Sequence, residues 1–100
     1  MAAARYGHYE VVEILLARGA YVDLKNRYGN TALIWSSYYG HIHCVRLLLE
    51  NGADVTHKND NGMSAMDMAQ TKGHFEIVDE LRVSDSHIYS SASAIYLPKY

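Results

Sequence analysis

Among the side chains of this 100-residue protein that could do chemistry, His41, His43 and Cys44 fall together. Cys44 follows His41 by three residues, a helical spacing at which an imidazole can activate a thiol as a nucleophile. Histidine nitrogens and a thiolate are also ligands that suit zinc. Both readings weaken once the positions are compared along the chain, because Gly7-His8, Gly40-His41 and Gly73-His74 recur at an interval of 33 residues. Equivalent positions on adjacent packed helices lie about 8–10 Å apart, whereas Zn–N bonds measure about 2.0–2.1 Å. His8, His41 and His74 therefore cannot share a metal, and His41 and His43, two residues apart, do not face each other on a helix. Cys44 superposes on Val11 and Ile77, which reads as a buried small hydrophobe. There is no G-x-G-x-x-G, no Walker loop and no pair of facing carboxylates with a companion base. No catalytic residue, metal or cofactor is expected, and the chain is not expected to be an enzyme.

The elements that would position any site follow from the same interval. Gly19-Ala20 returns as Gly52-Ala53, Val22 as Val55, Asn26 as Asn59, Gly29 as Gly62, and Thr31-Ala32-Leu33 as Ser64-Ala65-Met66. After each Gly-His comes one apolar stripe: Val11, Val12, Leu15, then Cys44, Val45, Leu48, then Ile77, Val78, Leu81. Thr31 and Ser64 can cap a helix by accepting from a backbone N–H two or three residues on. Gly40 and Gly73 stand where that helix must stop, and glycine tolerates the left-handed conformation found just past a helix end. A second helix follows, ending at Gly19 or Gly52, and turn glycines in Tyr28-Gly29 and Asn61-Gly62 predict hairpin-like tips between units.

This pattern resembles the ankyrin repeat, whose period is about 33 residues. The second unit reads Asn26-Arg27-Tyr28-Gly29-Asn30-Thr31-Ala32-Leu33-Ile34-Trp35-Ser36-Ser37-Tyr38-Tyr39-Gly40-His41, then Val45-Arg46-Leu47-Leu48-Leu49-Glu50-Asn51-Gly52-Ala53-Asp54-Val55. It is close to the family pattern D-x-x-G-x-T-P-L-H-x-A-A-x-x-G-H…V-x-L-L-L-x-x-G-A-D-V. The family's proline after threonine is Ala32 and Ala65 here, and its histidine two residues later is Ile34 and Asp67. Losing the proline gives up a φ angle already set for the first helical position, so each unit should be less stable than consensus. The resemblance implies an all-α solenoid of stacked helix-turn-helix units joined by hairpin-like turns. It covers about two and a half units: a partial one at 1–24, a full one at 25–57 and a cap-like one at 58–82, with a non-repeat tail at 83–100.

Chain length allows one small domain. Met1-Ala2-Ala3-Ala4 superposes on Ile34-Trp35-Ser36-Ser37, so the first unit lacks its turn and the start of its first helix, as expected of a piece of a longer ankyrin protein. Glu80 and Arg82 replace Leu47 and Leu49 of the preceding unit, the polar substitution expected of a terminal cap. The serine-rich tail carries the single proline, Pro98, and reads as a solvated linker. In the alternative, Ile88, Tyr89, Ile95, Tyr96 and Leu97 fold back over the last unit. No apolar run is long enough for a membrane span or a signal peptide. One cysteine fits a reducing compartment, so cytoplasm or nucleus is the expected setting.

Function is then sought at positions the repeat leaves free. In ankyrin-like proteins these are the turn tips and the exposed end of the first helix, which line a concave surface. Transferred by register they are Arg5 and Tyr6 in the first unit, Lys25, Arg27, Tyr28, Asn30, Tyr38 and Tyr39 in the second, and Lys58, Asp60, Asn61, Met63, Thr71 and Lys72 in the third. Tyrosine and arginine are the types in which binding energy concentrates. These positions with inward-leaning Asp67 carry a net charge of +3, against −5 on the rest of the chain. Such a face favours another protein, or an acidic or phosphorylated peptide with apolar anchors. Nucleic acid is a weaker candidate, since the whole chain is acidic and its basic residues form no long run. The competing expectations are a structural spacer within a longer stack, and a regulatory domain of an attached enzyme or channel.

Overall fold

The structure, a computed structural model, describes residues 2–93. It contains α1 (Ala2–Arg5), α2 (Tyr9–Ala17), α3 (Ala32–Tyr39), α4 (Ile42–Glu50), α5 (Ala65–Lys72) and α6 (Phe75–Ser93). Helices α1, α3 and α5 pack side by side as an inner layer, and α2, α4 and α6 as an outer one. Within each unit the inner helix also packs on the outer one. The all-helical solenoid implied by the repeat is what the chain forms. The one β feature among the described residues is an isolated antiparallel bridge between Lys58 and Ser64.

Local chemistry sets the helix boundaries. Thr31 Oγ1 accepts from Ile34 N–H at 3.3 Å, and Ser64 Oγ accepts from Asp67 N–H at 3.2 Å while Asp67 Oδ2 accepts from Ser64 N–H at 2.9 Å. The second arrangement satisfies two orphan donors reciprocally and stands in for the missing proline. Gly40 ends α3 at φ 78°, where a Cβ would meet the His74 ring at 2.8–3.1 Å. Asparagine builds the tips: Asn26 Oδ1 accepts from Tyr28 and Asn30 N–H, and Asn59 Oδ1 accepts from Asn61 and Met63 N–H. Each tip closes like a hairpin, with Asn26 N–H donating to Asn30 O and Asn59 N–H to Met63 O.

The core lies between the layers and between units: Val12, Leu33, Ile34, Cys44, Val45, Leu48, Ala65, Ala69, Ile77, Val78 and Leu81 are buried. Two expectations need correction. Val11 and Leu15 were expected in the core stripe but are 47% and 44% exposed, whereas their equivalents Cys44 and Leu48 are each 1% exposed. Cys44 and Leu48 lie on α4, which has α2 packed beside it, while no described element packs on the other side of α2. Burial here depends on a neighbouring unit rather than on residue type.

At the other end, α6 runs on through Ser93 with no break at Arg82. Glu80 reaches back to Arg46 at 2.9 Å, and Glu76 to the same guanidinium at 3.2 Å, so polar residues of the third unit tie it to the second. Ile88 and Tyr89 fall on the α6 backbone, but their side chains lie outside the described residues, as do Ile95, Tyr96, Leu97 and Pro98.

Candidate protein-binding face

Because α1, α3 and α5 lie side by side, the last turn of each inner helix presents its side chains next to those of its neighbour. Trp35, Tyr38 and Tyr39 are spaced i, i+3 and i+4 on α3, which puts them on one face. Trp35 and Tyr39 stack with ring centroids 5.7 Å apart, and Tyr39 meets Tyr38 edge-on at 4.9 Å. Arg5, at the end of α1, lays its guanidinium 5.0 Å from the Trp35 ring centre, 5.7 Å from Tyr39 and 5.4 Å from Tyr6. Lys72, at the end of α5, holds its ammonium 4.9 Å from the Tyr38 ring centre. Five rings and cations from three units thus form one continuous row, Arg5 to Trp35 and Tyr39, on to Tyr38 and Lys72. Such contacts are worth about 0.5–1 kcal/mol each at exposed sites, which offsets part of the roughly 1.5–2 kcal/mol of rotamer freedom that a long basic side chain loses on being held.

Two histidines fix the backbone beneath this row. His41 Nε2 donates to the carbonyl of Arg5 at 2.9 Å, and His74 Nε2 donates to that of Tyr38 at 3.1 Å. Both His41 and His74 therefore reach into the preceding unit and fill the space left by that unit's glycine, Gly7 and Gly40. A carbonyl can only accept, so the proton in each bond resides on Nε2.

Between the second and third units a groove of about 280 Å³ opens beside the aromatic row. Ile34, Trp35 and Met68 give it apolar surface, Tyr38 and Tyr39 join them, and Asn30, Asn59 and Asn61 supply amides. Asn59 is committed: its Oδ1 holds the tip and its Nδ2 donates to Asn30 Oδ1 at 2.8 Å. Asn30 Nδ2 and the Asn61 side chain have no hydrogen bond among the described residues.

The structure brings together Arg5, Tyr6, Tyr38, Tyr39 and Lys72 in the row, and Asn30 and Asn61 at the groove. Arg27 and Tyr28 form a separate pair at the second tip, guanidinium to ring centre 5.0 Å, and Asp60 N–H donates to Tyr28 O at 3.0 Å to join the two tips. Lys25, Lys58, Met63 and Thr71 do not line the groove. Sequence reasoning missed Trp35, Ile34, Asn59 and Met68. Trp35 was accessible to it, as the single tryptophan sits on the same helical face as Tyr38 and Tyr39.

Charge on this face is little compensated. The three ion pairs among the described residues involve Arg46 and Arg82, so Arg5, Arg27 and Lys72 meet no carboxylate there. Asp67 is drawn into the α5 cap, where the Ser64 backbone N–H and then its hydroxyl hold the carboxyl below its ordinary pKa. Burial pushes the Cys44 thiol up, which keeps it protonated. No group of three or more histidine, cysteine, aspartate or glutamate side chains among the described residues could hold a metal, and no described helix is long and apolar enough to cross a membrane.

Comparison with known proteins agrees with this architecture. A family model described as ankyrin repeats in three copies matches residues 1–91. The chain is also similar to the ankyrin repeat domain-containing protein SAT10 of Stachybotrys chartarum (strain CBS 109288 / IBT 7711), at 50% identity over 36 residues, which is 36% of this chain and 2% of that protein. Ankyrin repeats are generally protein–protein interaction modules. Paired helices, asparagine-held tips, histidines reaching from unit to unit and the family match together make this chain a member of the ankyrin repeat family.

Proposed function

We propose that the face carrying the aromatic and cationic row binds a partner protein through an acidic or phosphorylated segment. One observation carries this reading: Arg5 and Lys72 rest on the rings of Trp35, Tyr38 and Tyr39 with no carboxylate to neutralise them among the described residues. A cation stacked on a ring keeps its outward N–H groups free. A carboxylate or phosphate gains charge-assisted hydrogen bonds there at a reduced ordering cost. The rings add area of the kind that concentrates binding energy. Arg27 with Tyr28, and Lys25, Lys58, Asp60, Met63 and Thr71, extend the same surface toward the tips in this reading, as its rim.

The test is panning of a displayed random peptide library on the folded chain. Enriched peptides should be rich in acidic residues and should fail to bind Tyr38→Ala/Tyr39→Ala, whose circular dichroism stays helical. Undiminished binding to that variant would contradict the assignment.

A further inference from the structure

The groove between the second and third units opens beside the aromatic row, and its dimensions and polar groups describe a ligand. At about 280 Å³ it lies just under the roughly 300–1,000 Å³ of pockets that enclose small molecules. It suits one side chain of a longer chain. Ile34, Trp35 and Met68 make its apolar lining, so that side chain is aliphatic or aromatic. Asn30 is half-buried with its Nδ2 unpaired among the described residues, while its Oδ1 is fixed by Asn59. An amide locked on one side and free on the other is what a peptide main-chain carbonyl needs.

The cations set a spacing. Arg5 to the Tyr39 ring is 5.7 Å, Tyr39 to Tyr38 is 4.9 Å and Tyr38 to Lys72 is 4.9 Å. End to end these contacts place the two charges no more than roughly 16 Å apart, a span that about four to five extended residues cover at ~3.3 Å each. Eight residues would cover about 26 Å if fully extended, so they must bend to bring both anions to the cations and give up chain entropy in doing so. Resting on the reading of this face as the binding site, we infer that it recognises an extended segment with one apolar residue midway between two anionic groups, themselves about four residues apart. The apolar side chain enters the groove, Asn30 and Asn61 hold the main chain, and Arg5 and Lys72 each take one anion.

Synthetic peptides test this on the whole chain, with the emission of the single tryptophan, Trp35, as the readout. The series carries two glutamates separated by four or eight positions in a Gly/Ser background with leucine midway, which puts all three side chains on one face of an extended segment, and a parallel series carries phosphoserine in place of glutamate. The four-residue spacing binds about threefold tighter than the eight-residue one, the cost of closing the longer loop, and replacing leucine by serine loses about tenfold. Stronger binding by the phosphoserine series would name phosphate as the anion, and equal or weaker binding carboxylate; either outcome keeps the inference. Arg5→Gln and Lys72→Gln change exposed side chains, and each abolishes the effect of one glutamate-to-glutamine change in the peptide but not of the other. Binding that ignores spacing or the central leucine overturns the inference, as does failure of the whole series while library-selected peptides still bind the face. If no library peptide binds the face either, the broader reading falls with it.

Discussion

His74 donates through Nε2 to the main-chain carbonyl of Tyr38 at 3.1 Å, and its ring lies against Gly40. The bond locks the end of α3, where Tyr38 and Tyr39 stand, to the start of the next unit's outer helix. His74→Ala should therefore cost about 1–2 kcal/mol in urea-unfolding stability, from a lost hydrogen bond and an emptied space. It should also weaken peptide binding although His74 is not a contact residue. Unchanged affinity would mean that the Tyr38 backbone does not need this anchor.

Glycines of equal φ should differ sharply in tolerance. Gly40 (φ 78°) and Gly52 (φ 82°) both pay the left-handed penalty on substitution by alanine, about 1 kcal/mol. At Gly40 the new Cβ would also strike the His74 ring, while at Gly52 nothing lies within 4 Å. Gly40→Ala should be less stable than Gly52→Ala by at least about 1 kcal/mol, as overpacking typically costs. Equal urea midpoints would refute the close approach.

What the sequence could and could not convey follows the same division. The interval between Gly-His pairs, the Thr31 and Ser64 caps and the Asn26 and Asn59 tips are local or register properties, so they are legible in one chain. Burial of Val11 is not, because it shares its position with Cys44, whose helix α4 has α2 and α6 beside it, whereas α2 has α4 alone beside it in the outer layer. The platform under Arg5 is likewise a contact between units, with Trp35 thirty positions away. Register alone marks Arg5 and Tyr39 as free and says nothing of their touching. Tyr6 and Tyr39 were legible as surface residues, whereas the groove at Ile34 and Met68 required the packed structure.

Core truncation should expose that asymmetry. Leu48→Ala and Leu81→Ala, each at a side chain 1% exposed, should cost about 2–5 kcal/mol. Leu15→Ala, at the equivalent position but 44% exposed, should cost less than about 1 kcal/mol. Chemical denaturation of the three variants decides it.

The Asp67 cap should give the stability a pH signature. Its carboxyl is held below the usual range first by the Ser64 backbone N–H and then by the Ser64 hydroxyl. A depressed folded-state pKa means that the contribution is complete above the unfolded value, about 3.9, and is lost as pH falls through the lower folded value. Asp67→Ala should cost about 0.5–1 kcal/mol at pH 7. The difference from wild type should shrink steadily below about pH 4. A pH-independent difference would show that the carboxylate is not the stabilising group.

The most direct measurement of where this chain binds is amide and indole shift mapping on the ¹⁵N-labelled protein during titration with a library-selected acidic peptide. The largest changes are expected at Arg5, Trp35 with its indole N–H, Tyr38, Tyr39 and Lys72, with Asn30 and Asn61 side-chain amides moving alongside. Changes confined to the outer helices Tyr9–Ala17 and Ile42–Glu50 would contradict the account.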